Sequence, residues 1–375
     1  MERTESKKIE IHHLIDICLN KNLVFAAYRQ PGKSHAEMMV QLDPELNNLN
    51  ERDDYFQGKG FLVAPFMNQS CCPPFKIHAD FYLEGKVTLE DKHMLQSMKG
   101  NLPYLSQDDE VTEFSQQEYL HLIRKILNEI QQGSLEKLVP SRIKKIYGQY
   151  RDQLGIIFDR LCKAYPNAFV YIFNAGNECW MGATPESLIQ SDHGRLKTVS
   201  IAATRAYSVD NLDIRSWNQK ELMEQEYVTR FIESVLSDFN ISEYDKNGPY
   251  AEQAGNLVHL KTDFLFEANN LKDNLQRFLK RLHPTPAICG IPRERSLQLL
   301  DQLEHHERKY YSGFLGPVGV KSDLSLFVNL RCMKVMNDSL ALYVGGGITA
   351  DSVPAEEWKE TEMKSETLLS LIKEY

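Results

Sequence analysis

The chain has 375 residues, enough for one large or two ordinary domains, and its 42% hydrophobic and 25% charged residues are typical of a globular protein with a substantial core. A net charge of −9 argues against a general nucleic-acid-binding role but is compatible with a small anionic substrate. Seven scattered cysteines without a CxxC pair argue against a disulfide framework or a zinc site. The sequence shows neither a secretory signal nor an apolar run long enough to span a bilayer. We therefore expect a cytoplasmic protein.

The first part of the chain, residues 1–114, gives the weakest structural signals. An amphipathic pattern predicts a helix over residues 9–19, and apolar runs predict strands over 23–28, 60–66 and 76–83. No glycine-rich nucleotide-binding loop is found among them. We therefore interpret this part as an amino-terminal portion of the fold with little diagnostic value for function.

A capping box marks the start of the first strong helix, because Ser115 and Glu118 have the spacing in which each caps the backbone of the other. Apolar residues then recur at helical spacing as far as Gly133. A short strand over residues 135–139 follows, with Lys137 among its apolar neighbours. A lysine in such a strand is usually solvent-facing, whereas an enclosed site would favour its neutral form, which is a base.

The middle of the chain alternates predicted strands with possible site residues. Strands over residues 168–173 and 179–182 form a hairpin, and Glu186 follows directly after a proline. The next strand, over residues 196–203, ends at Thr204.

Two acidic residues, Glu221 and Glu224, lie one turn apart in a long helix predicted over residues 217–239. His259 lies in a strand predicted over residues 257–264. Strands are also predicted over 314–320, 325–333 and 340–345, with helices over 271–282 and 294–307. Arg331 lies in the middle one of the three strands, and an arginine in such an apolar strand needs a carboxylate partner from the protein or a ligand.

Three glycines, at positions 345–347, join the last strand to a helix that opens with Pro354. Glu357, Glu360 and Lys364 share one face of that helix. Alone, this pattern is more typical of a salt-bridged surface helix than of a site. A second acidic pair elsewhere changes the balance, since four carboxylates brought together would repel one another unless a cation neutralised them, and oxygen ligands indicate magnesium.

Eight segments, taken in order, resemble the chorismate-utilising enzymes, which include isochorismate, salicylate, anthranilate and aminodeoxychorismate synthases. The segments are residues 136–142 (EKLVPSR), 182–186 (GATPE), 201–205 (IAATR), 220–224 (KELME), 258–260 (VHL), 283–287 (HPTPA), 308–316 and 345–364. They fall within residues 115–375, which we define as the chorismate-binding catalytic core. The resemblance implies an α+β fold in which two packed, mostly antiparallel β-sheets are flanked by helices and the site lies between them.

The resemblance also implies a ligand set, with chorismate as substrate and Mg²⁺ as cofactor. By position, Glu224 and Glu360 bind the metal directly, and Glu221 and Glu357 hold it through water. The implied substrate-binding residues are Thr204, His259, Arg331, Gly345, Gly347 and Lys364. Arg331 and Lys364 resemble anchors for the substrate carboxylates, while the two glycines and Thr204 resemble a backbone cradle.

Within the family, Lys137 resembles the general base of isochorismate and salicylate synthases, and Glu186 resembles the acid that protonates the departing C4 hydroxyl. Anthranilate synthases have a glutamine at the position of Lys137, but aminodeoxychorismate synthases also use a lysine there, as a nucleophile. Residues 283–287 resemble isochorismate synthases. We therefore expect an isomerase of the isochorismate synthase type.

Two alternatives stay open, a salicylate synthase that goes on to eliminate pyruvate and an aminating synthase chain with a glutaminase partner. For the leading hypothesis we expect a monomer without an obligate protein partner, acting in menaquinone, siderophore or salicylate biosynthesis. Two residues depart from the family pattern. Ala203 stands where glycine is usual, and Gln225 follows Glu224 where histidine is common.

Overall fold

The computed structural model describes residues 10–50, 53–67, 72–85, 87–100, 111–176, 178–254, 257–271, 274–321 and 323–372. Its helices are α1 (Ile11–Asn20), α2 (Leu89–Ser97), α3 (Gln116–Gln131), α4 (Leu154–Ala164), α5 (Gln219–Asp238), α6 (Leu275–Leu282), α7 (Arg293–Leu303) and α8 (Pro354–Ile372). Its strands are β1 (Val24–Arg29), β2 (Glu37–Gln41), β3 (Asn47–Asn48), β4 (Gly60–Ala64), β5 (Phe75–His78), β6 (Phe81–Glu84), β7 (Lys137–Leu138), β8 (Ser141–Tyr147), β9 (Phe169–Ala175), β10 (Glu178–Thr184), β11 (Ser187–Asp192), β12 (Arg195–Ala206), β13 (Asp245–Ala254), β14 (Leu257–Glu267), β15 (Gly290–Ile291), β16 (Phe314–Val320), β17 (Asp323–Val328), β18 (Cys332–Val335), β19 (Ser339–Gly345) and β20 (Ile348–Thr349).

The described strands form two large sheets and one small one. The first sheet has the order β6-β2-β1-β9-β10-β18-β19-β8, and the second has the order β13-β14-β12-β11-β17-β16-β4-β5-β3. The small sheet has the order β15-β7-β20. Neighbouring strands pair antiparallel, for example β1 with β9 and β16 with β17. The predicted α+β class with two mostly antiparallel sheets is therefore confirmed, and the small sheet is an addition that we did not predict.

The core lies in three layers, because most strands of the two large sheets are buried on both faces. Alternate residues of β1 illustrate this, since Tyr28 faces the space between the large sheets while Phe25 faces the helices on the other side. Between the sheets, Phe169 of β9 stacks on Phe327 of β17 with ring centres 4.1 Å apart. Helices α1, α4 and the end of α8 cover the outer face of the first sheet, and α3, α5, α6 and α7 cover that of the second.

Strands from the amino-terminal part take part in both large sheets. Strand β1 pairs with β9 in the first sheet, and β4 pairs with β16 in the second. The division of the chain at residue 114 stays a prediction, because these pairings describe contacts and do not test independent folding. Six cysteines lie in the described part of the chain and all six are free thiols, whereas Cys71 lies outside it. Among the described helices, none combines the length and apolar character that crossing a bilayer requires.

The chain passes between the two large sheets at several places, and two of these lie next to each other, which we call the two crossings. The first crossing, at residues 185–186, joins β10 to β11, and the second, at residues 329–331, joins β17 to β18. The amide of Val328 donates to the carbonyl of Glu186 at 2.9 Å, and the amide of Ala183 donates to the carbonyl of Arg331 at 3.0 Å. The prediction of one strand over residues 325–333 is therefore wrong, because two strands of different sheets share one apolar run.

Candidate active site

A cavity of about 350 Å³ opens where the two crossings, the small sheet and the amino-terminal turns of α5 and α8 meet. Its wall includes all twelve residues to which the sequence assigned a role. They are Lys137, Glu186, Thr204, Glu221, Glu224, His259, Arg331, Gly345, Gly347, Glu357, Glu360 and Lys364. The chain therefore brings together residues that lie up to 227 positions apart, from Lys137 to Lys364, while their individual roles stay predictions.

Lys137 is held by the small sheet and is buried, with 3% of its side chain exposed. Strand β7 pairs with β15 on one side and with β20 on the other. The ammonium group of Lys137 donates to Glu224 Oε1 at 2.7 Å, so the interpretation as a solvent-facing strand lysine is excluded. Gly347 makes room for it, since a Cβ at that position would lie 2.8 Å from Lys137 Cε.

Glu186 lies at the first crossing with only 9% of its surface exposed. Its carbonyl and amide are held by the neighbouring strands, which fixes the direction of the side chain. Burial raises the pKa of the Glu186 carboxyl to about 7, against the opposing effect of the positive charges of Lys137 and Arg331. A group with this pKa can gain or lose a proton near neutral pH, which suits a general acid.

Arg331 lies at the second crossing, where its backbone takes the left-handed conformation with φ of 48°. Within the described residues its guanidinium forms no ion pair at contact distance, although burial lowers its pKa. Glu360 and Glu186 contribute longer-range attraction. A partly enclosed guanidinium without a carboxylate partner can bind an anionic group of a ligand.

Thr204 and His259 face each other across strands β12 and β14, and the Thr204 hydroxyl lies 3.0 Å from His259 Nδ1. Burial lowers the pKa of His259 to about 4, so the imidazole is neutral at physiological pH. The register shifts between Ala202 and Thr204, because Ala203 adopts the left-handed conformation with φ of 57°. A residue with a Cβ costs about 1–2 kcal/mol in that conformation, which gives a physical reason for a glycine there.

The carboxylates on the two helices differ in their partners. Glu224 pairs with Lys137, and Glu360 pairs with Lys364 at 2.6 Å. The ammonium group of Lys364 also donates a hydrogen bond to the Gly345 carbonyl at 2.9 Å. Glu221 is engaged most fully, by an ion pair with Arg205 through both carboxylate oxygens and by the capping box that begins α5. These pairs neutralise much of the repulsion that four carboxylates would otherwise create.

Glu357 differs from the other three carboxylates, because its Oε2 atom is buried and has no hydrogen-bond partner in the part of the chain that the structure describes. Burial raises the pKa of this carboxyl against the opposing effect of a hydrogen bond with Ser352, and the charge of Glu360 raises it further. A Cβ at Gly346 would lie 3.5 Å from Glu357 Oε2 and 3.8 Å from Glu360 Oε1. A Cβ at Gly347 would lie 3.5 Å from Glu224 Oε1, so three carboxylates converge on two neighbouring glycines.

This donor set fits a hard divalent cation such as Mg²⁺, because it consists of carboxylate oxygens and includes a buried oxygen for which the described residues provide no partner. The oxygen atoms of these carboxylates lie farther from one another than the ligand atoms around a bound metal ion would. Among the described residues, the one group of three ligand atoms within 4.8 Å of one another is Glu10, His12 and Asp159, near the surface between α1 and α4.

Some cavity residues were missed by the interpretation of the sequence. These are Tyr311, Ser312 and Lys220, which all lie on the wall of the cavity. All three fall inside segments that were matched to the family as segments only. The match of these segments to the family could have indicated the three residues, but neither periodicity nor charge distinguished them from their neighbours.

The family model described as "Chorismate binding enzyme" matches residues 77–373 of this chain. The isochorismate synthase EntC of Escherichia coli strain K12 is 28% identical over 244 residues, which cover 63% of this chain and 62% of that protein, less than two thirds of its length. The vibriobactin-specific isochorismate synthase of Vibrio cholerae is 26% identical over 377 residues, which cover 96% of this chain and 93% of that protein.

A solved structure supports the same fold. The menaquinone-specific isochorismate synthase MenF of Escherichia coli superposes with a TM-score of 0.75 at 17% identity, over 96% of this chain and 91% of that one. At this level of identity the likeness concerns the architecture of the two sheets and their helices.

Proposed function

The chain belongs to the chorismate-binding enzyme family, and we propose that it is an isochorismate synthase, an isomerase that converts chorismate reversibly into isochorismate. The observation that carries this proposal is the pairing of two proton-transfer groups in one cavity. One is the buried amine of Lys137, and the other is the buried carboxyl of Glu186, whose pKa is about 7.

In the proposed reaction, Lys137 takes a proton from a water molecule whose oxygen forms a bond to C2 of the ring. Glu186 gives its proton to the hydroxyl that leaves C4, and the ring double bonds shift between the two carbons. One water is added and one is lost, so the substrate and the product are isomers. The lysine must be neutral and the glutamate protonated when the substrate binds, so Lys137 has to release the proton that it donates to Glu224 in the structure.

The cationic groups of the cavity fit a substrate with two carboxylates. Arg331 and Lys364 bind these carboxylates, and His259 with Thr204 offers a neutral polar surface from strands β12 and β14. Gly345 and Gly347 form the backbone cradle, since a Cβ at Gly345 would lie 2.7 Å from the Pro140 carbonyl and 2.9 Å from the Tyr311 hydroxyl. Orientation of the ring between acid and base is the main contribution of these contacts.

Mg²⁺ would be held directly by Glu224 and Glu360 and through water by Glu221 and Glu357. When bound, it supplies positive charge that fixes the ring carboxylate of the substrate. The engagement of Glu221 by Arg205 supports an outer role for that carboxylate, and the unpartnered Oε2 of Glu357 supports a contact to a water. The helices thus orient the carboxylates, and the small sheet and the crossings orient the acid and the base.

The test is the conversion of chorismate by the purified chain alone with Mg²⁺, with the products separated by chromatography. We expect isochorismate, in equilibrium with chorismate from either direction. Fluorescent salicylate as the enzymatic product would indicate a salicylate synthase, and an aminated product that requires ammonia would indicate a synthase chain with a glutaminase partner. The names of two relatives connect isochorismate synthases to menaquinone and to vibriobactin, and we propose that this product enters a pathway of one of these kinds.

A further inference from the structure

Arg142 lies outside the cavity wall but directly behind the helix that carries Glu357 and Glu360. It follows Ser141 in β8 and is paired with Val344 of β19, one residue before the glycines of the cradle. Only 1% of its side chain is exposed. Burying a guanidinium is costly unless its charge and its donors are satisfied, so the surroundings of Arg142 must compensate for it.

Three contacts tie the guanidinium of Arg142 to α8. Its Nε donates to Thr361 Oγ1 at 2.9 Å, and a terminal nitrogen pairs with Glu362. The guanidinium carbon also lies 3.9 Å from the centre of the Trp358 ring. Hydrogen bond, ion pair and stacking together use the planar geometry of a guanidinium, which a lysine cannot reproduce.

These contacts fall on the same two turns that present the carboxylates. Trp358 follows Glu357, and Thr361 follows Glu360, so each contact residue is about 100° round the helix from its carboxylate. A helix held in this way can neither roll nor slide without breaking a contact to Arg142.

We propose that Arg142 is a positioning residue that fixes the rotation and height of α8 so that Glu357 and Glu360 face the divalent cation. This inference rests on the metal-binding role given to these glutamates in the proposed function. Mg²⁺ requires near-octahedral geometry with metal–oxygen distances of about 2.0–2.1 Å, so a small roll of α8 weakens binding.

Lys144 provides a matched control. It lies two residues further along β8, and its ammonium pairs with the other oxygen of Glu362 at 2.6 Å. Lys144→Met therefore removes a positive charge from the same carboxylate of α8 while leaving the contacts of Arg142 to Thr361 and Trp358 in place.

The experiment measures Mn²⁺ binding to the full chain without substrate, by electron paramagnetic resonance. All variants carry His12→Ala, because Glu10, His12 and Asp159 form another group that could hold a cation. Arg142→Lys is expected to raise the dissociation constant for Mn²⁺ about tenfold, the effect typical of losing support around a metal ligand. Lys144→Met is expected to change it less than about twofold, because ion pairs with a partly exposed partner contribute little.

Unfolding midpoints in EDTA separate positioning from general stability. If Arg142→Lys lowers the midpoint but leaves the dissociation constant of the folded protein unchanged, the role of Arg142 is merely structural and the inference is overturned. An equal rise in the dissociation constant for Lys144→Met also overturns it, because charge near Glu362 would then explain the effect.

A second pair of variants covers the case in which Arg142→Lys does not fold. Thr361→Ala removes the acceptor of the Arg142 Nε donor and should weaken Mn²⁺ binding, while Thr361→Ser should restore it; equal affinities for the two variants would contradict the inference. A parent chain that binds no Mn²⁺ would instead disprove the metal site of the proposed function, whereas failure of the Arg142 role alone leaves parent binding intact.

Discussion

The two sides of the cavity differ in how they hold their charged groups. On the helical side, Glu224 and Glu360 are 27% and 38% exposed and each pairs with a lysine. On the strand side, Lys137 and Glu186 are 3% and 9% exposed and are fixed by short strands and a crossing. This contrast is the one expected if, as proposed, the accessible helical side takes up the cation and the enclosed strand side transfers protons.

Among the predicted effects on turnover, the largest should come from removing a proton-transfer group from the strand side. Glu186→Gln keeps the shape of the side chain but cannot donate an acidic proton, and Lys137→Gln cannot act as a base. We expect each to lower turnover by about 10²–10⁴-fold, measured as isochorismate formed from chorismate. Addition of Mg²⁺ should not restore activity, and recovery at high Mg²⁺ would break the proposed division between the two sides.

The control for this prediction is Glu267→Gln, which changes a carboxylate at the far end of β14 that is 63% exposed. Its turnover should equal that of the unchanged chain. If Glu186→Gln and Lys137→Gln also kept full turnover, the assignment of acid and base would be wrong.

The buried carboxyl of Glu186 should also make the protein less stable as the pH rises. Its pKa is raised from 4.5 to about 7 in the folded chain, so between these values the unfolded chain loses a proton that the folded chain keeps. The resulting loss in the free energy of unfolding is nearly absent below pH 4.5 and reaches its full value, about 3 kcal/mol, above pH 7.

Urea unfolding of Glu186→Gln beside the unchanged chain tests this linkage. The stability of the variant relative to the unchanged chain should increase by about 2–3 kcal/mol between pH 5 and pH 8. A constant difference across this range would mean that Glu186 titrates normally. It would also remove the main support for its role as an acid near neutral pH.

On the helical side, the expected effect is smaller and depends on the cation. Glu360→Gln should raise the Mg²⁺ concentration needed for half-maximal activity by about 10–100-fold, with part of the turnover recovered at saturating Mg²⁺. Glu356→Gln is the matched control, because that carboxylate lies on the same helix, is 65% exposed and pairs with nearby Lys359. Equal behaviour of the two variants would show that α8 is the salt-bridged surface helix of the simpler interpretation.

The helical side was the more predictable of the two. Residue spacing along a helix is fixed by local geometry, so the shared face of Glu357, Glu360 and Lys364 could be read from the sequence. The capping box of Ser115 and Glu118 likewise predicted the start of α3 within one residue. Whether this face was a site could be decided only by the family resemblance and by the second acidic pair.

The strand side depended on contacts that sequence patterns do not encode. Lys137 is buried because β7 pairs with β15 and β20, which lie more than 150 residues later in the chain. The crossing at residues 329–331 was missed because both strands around it are largely apolar, so no change of period marks the break. The raised pKa of Glu186 follows from burial, and burial follows from these crossings.

The glycines at the boundary between the two sides provide a paired test. A methyl group in Gly347→Ala would lie 2.8 Å from Lys137 Cε and must displace the lysine, whereas in Gly346→Ala it would have ordinary contacts of 3.5 Å or more. We expect Gly347→Ala to lower turnover about tenfold, the cost of a small displacement of a reacting group. Gly346→Ala should lower turnover by a smaller factor. If Gly346→Ala lowered turnover more than Gly347→Ala, the sensitive contact would lie on the helical side.

The smallest expected effect concerns Ala203, where the resemblance to the family predicts a glycine and the backbone has the left-handed conformation with φ of 57°. Ala203→Gly relieves about 1–2 kcal/mol of backbone strain but adds about 0.5–1 kcal/mol of entropy to the unfolded state, so stability should rise by at most about 1.5 kcal/mol. Ala202→Gly is the control, because Ala202 is the preceding residue of the same strand, also lines the cavity and does not have a left-handed backbone. That control should lose stability by about 0.5–1 kcal/mol in urea unfolding. If Ala203→Gly lost as much stability as Ala202→Gly, the backbone at Ala203 would be unstrained. The glycine predicted at this position would then have to be explained by the shape of the cavity.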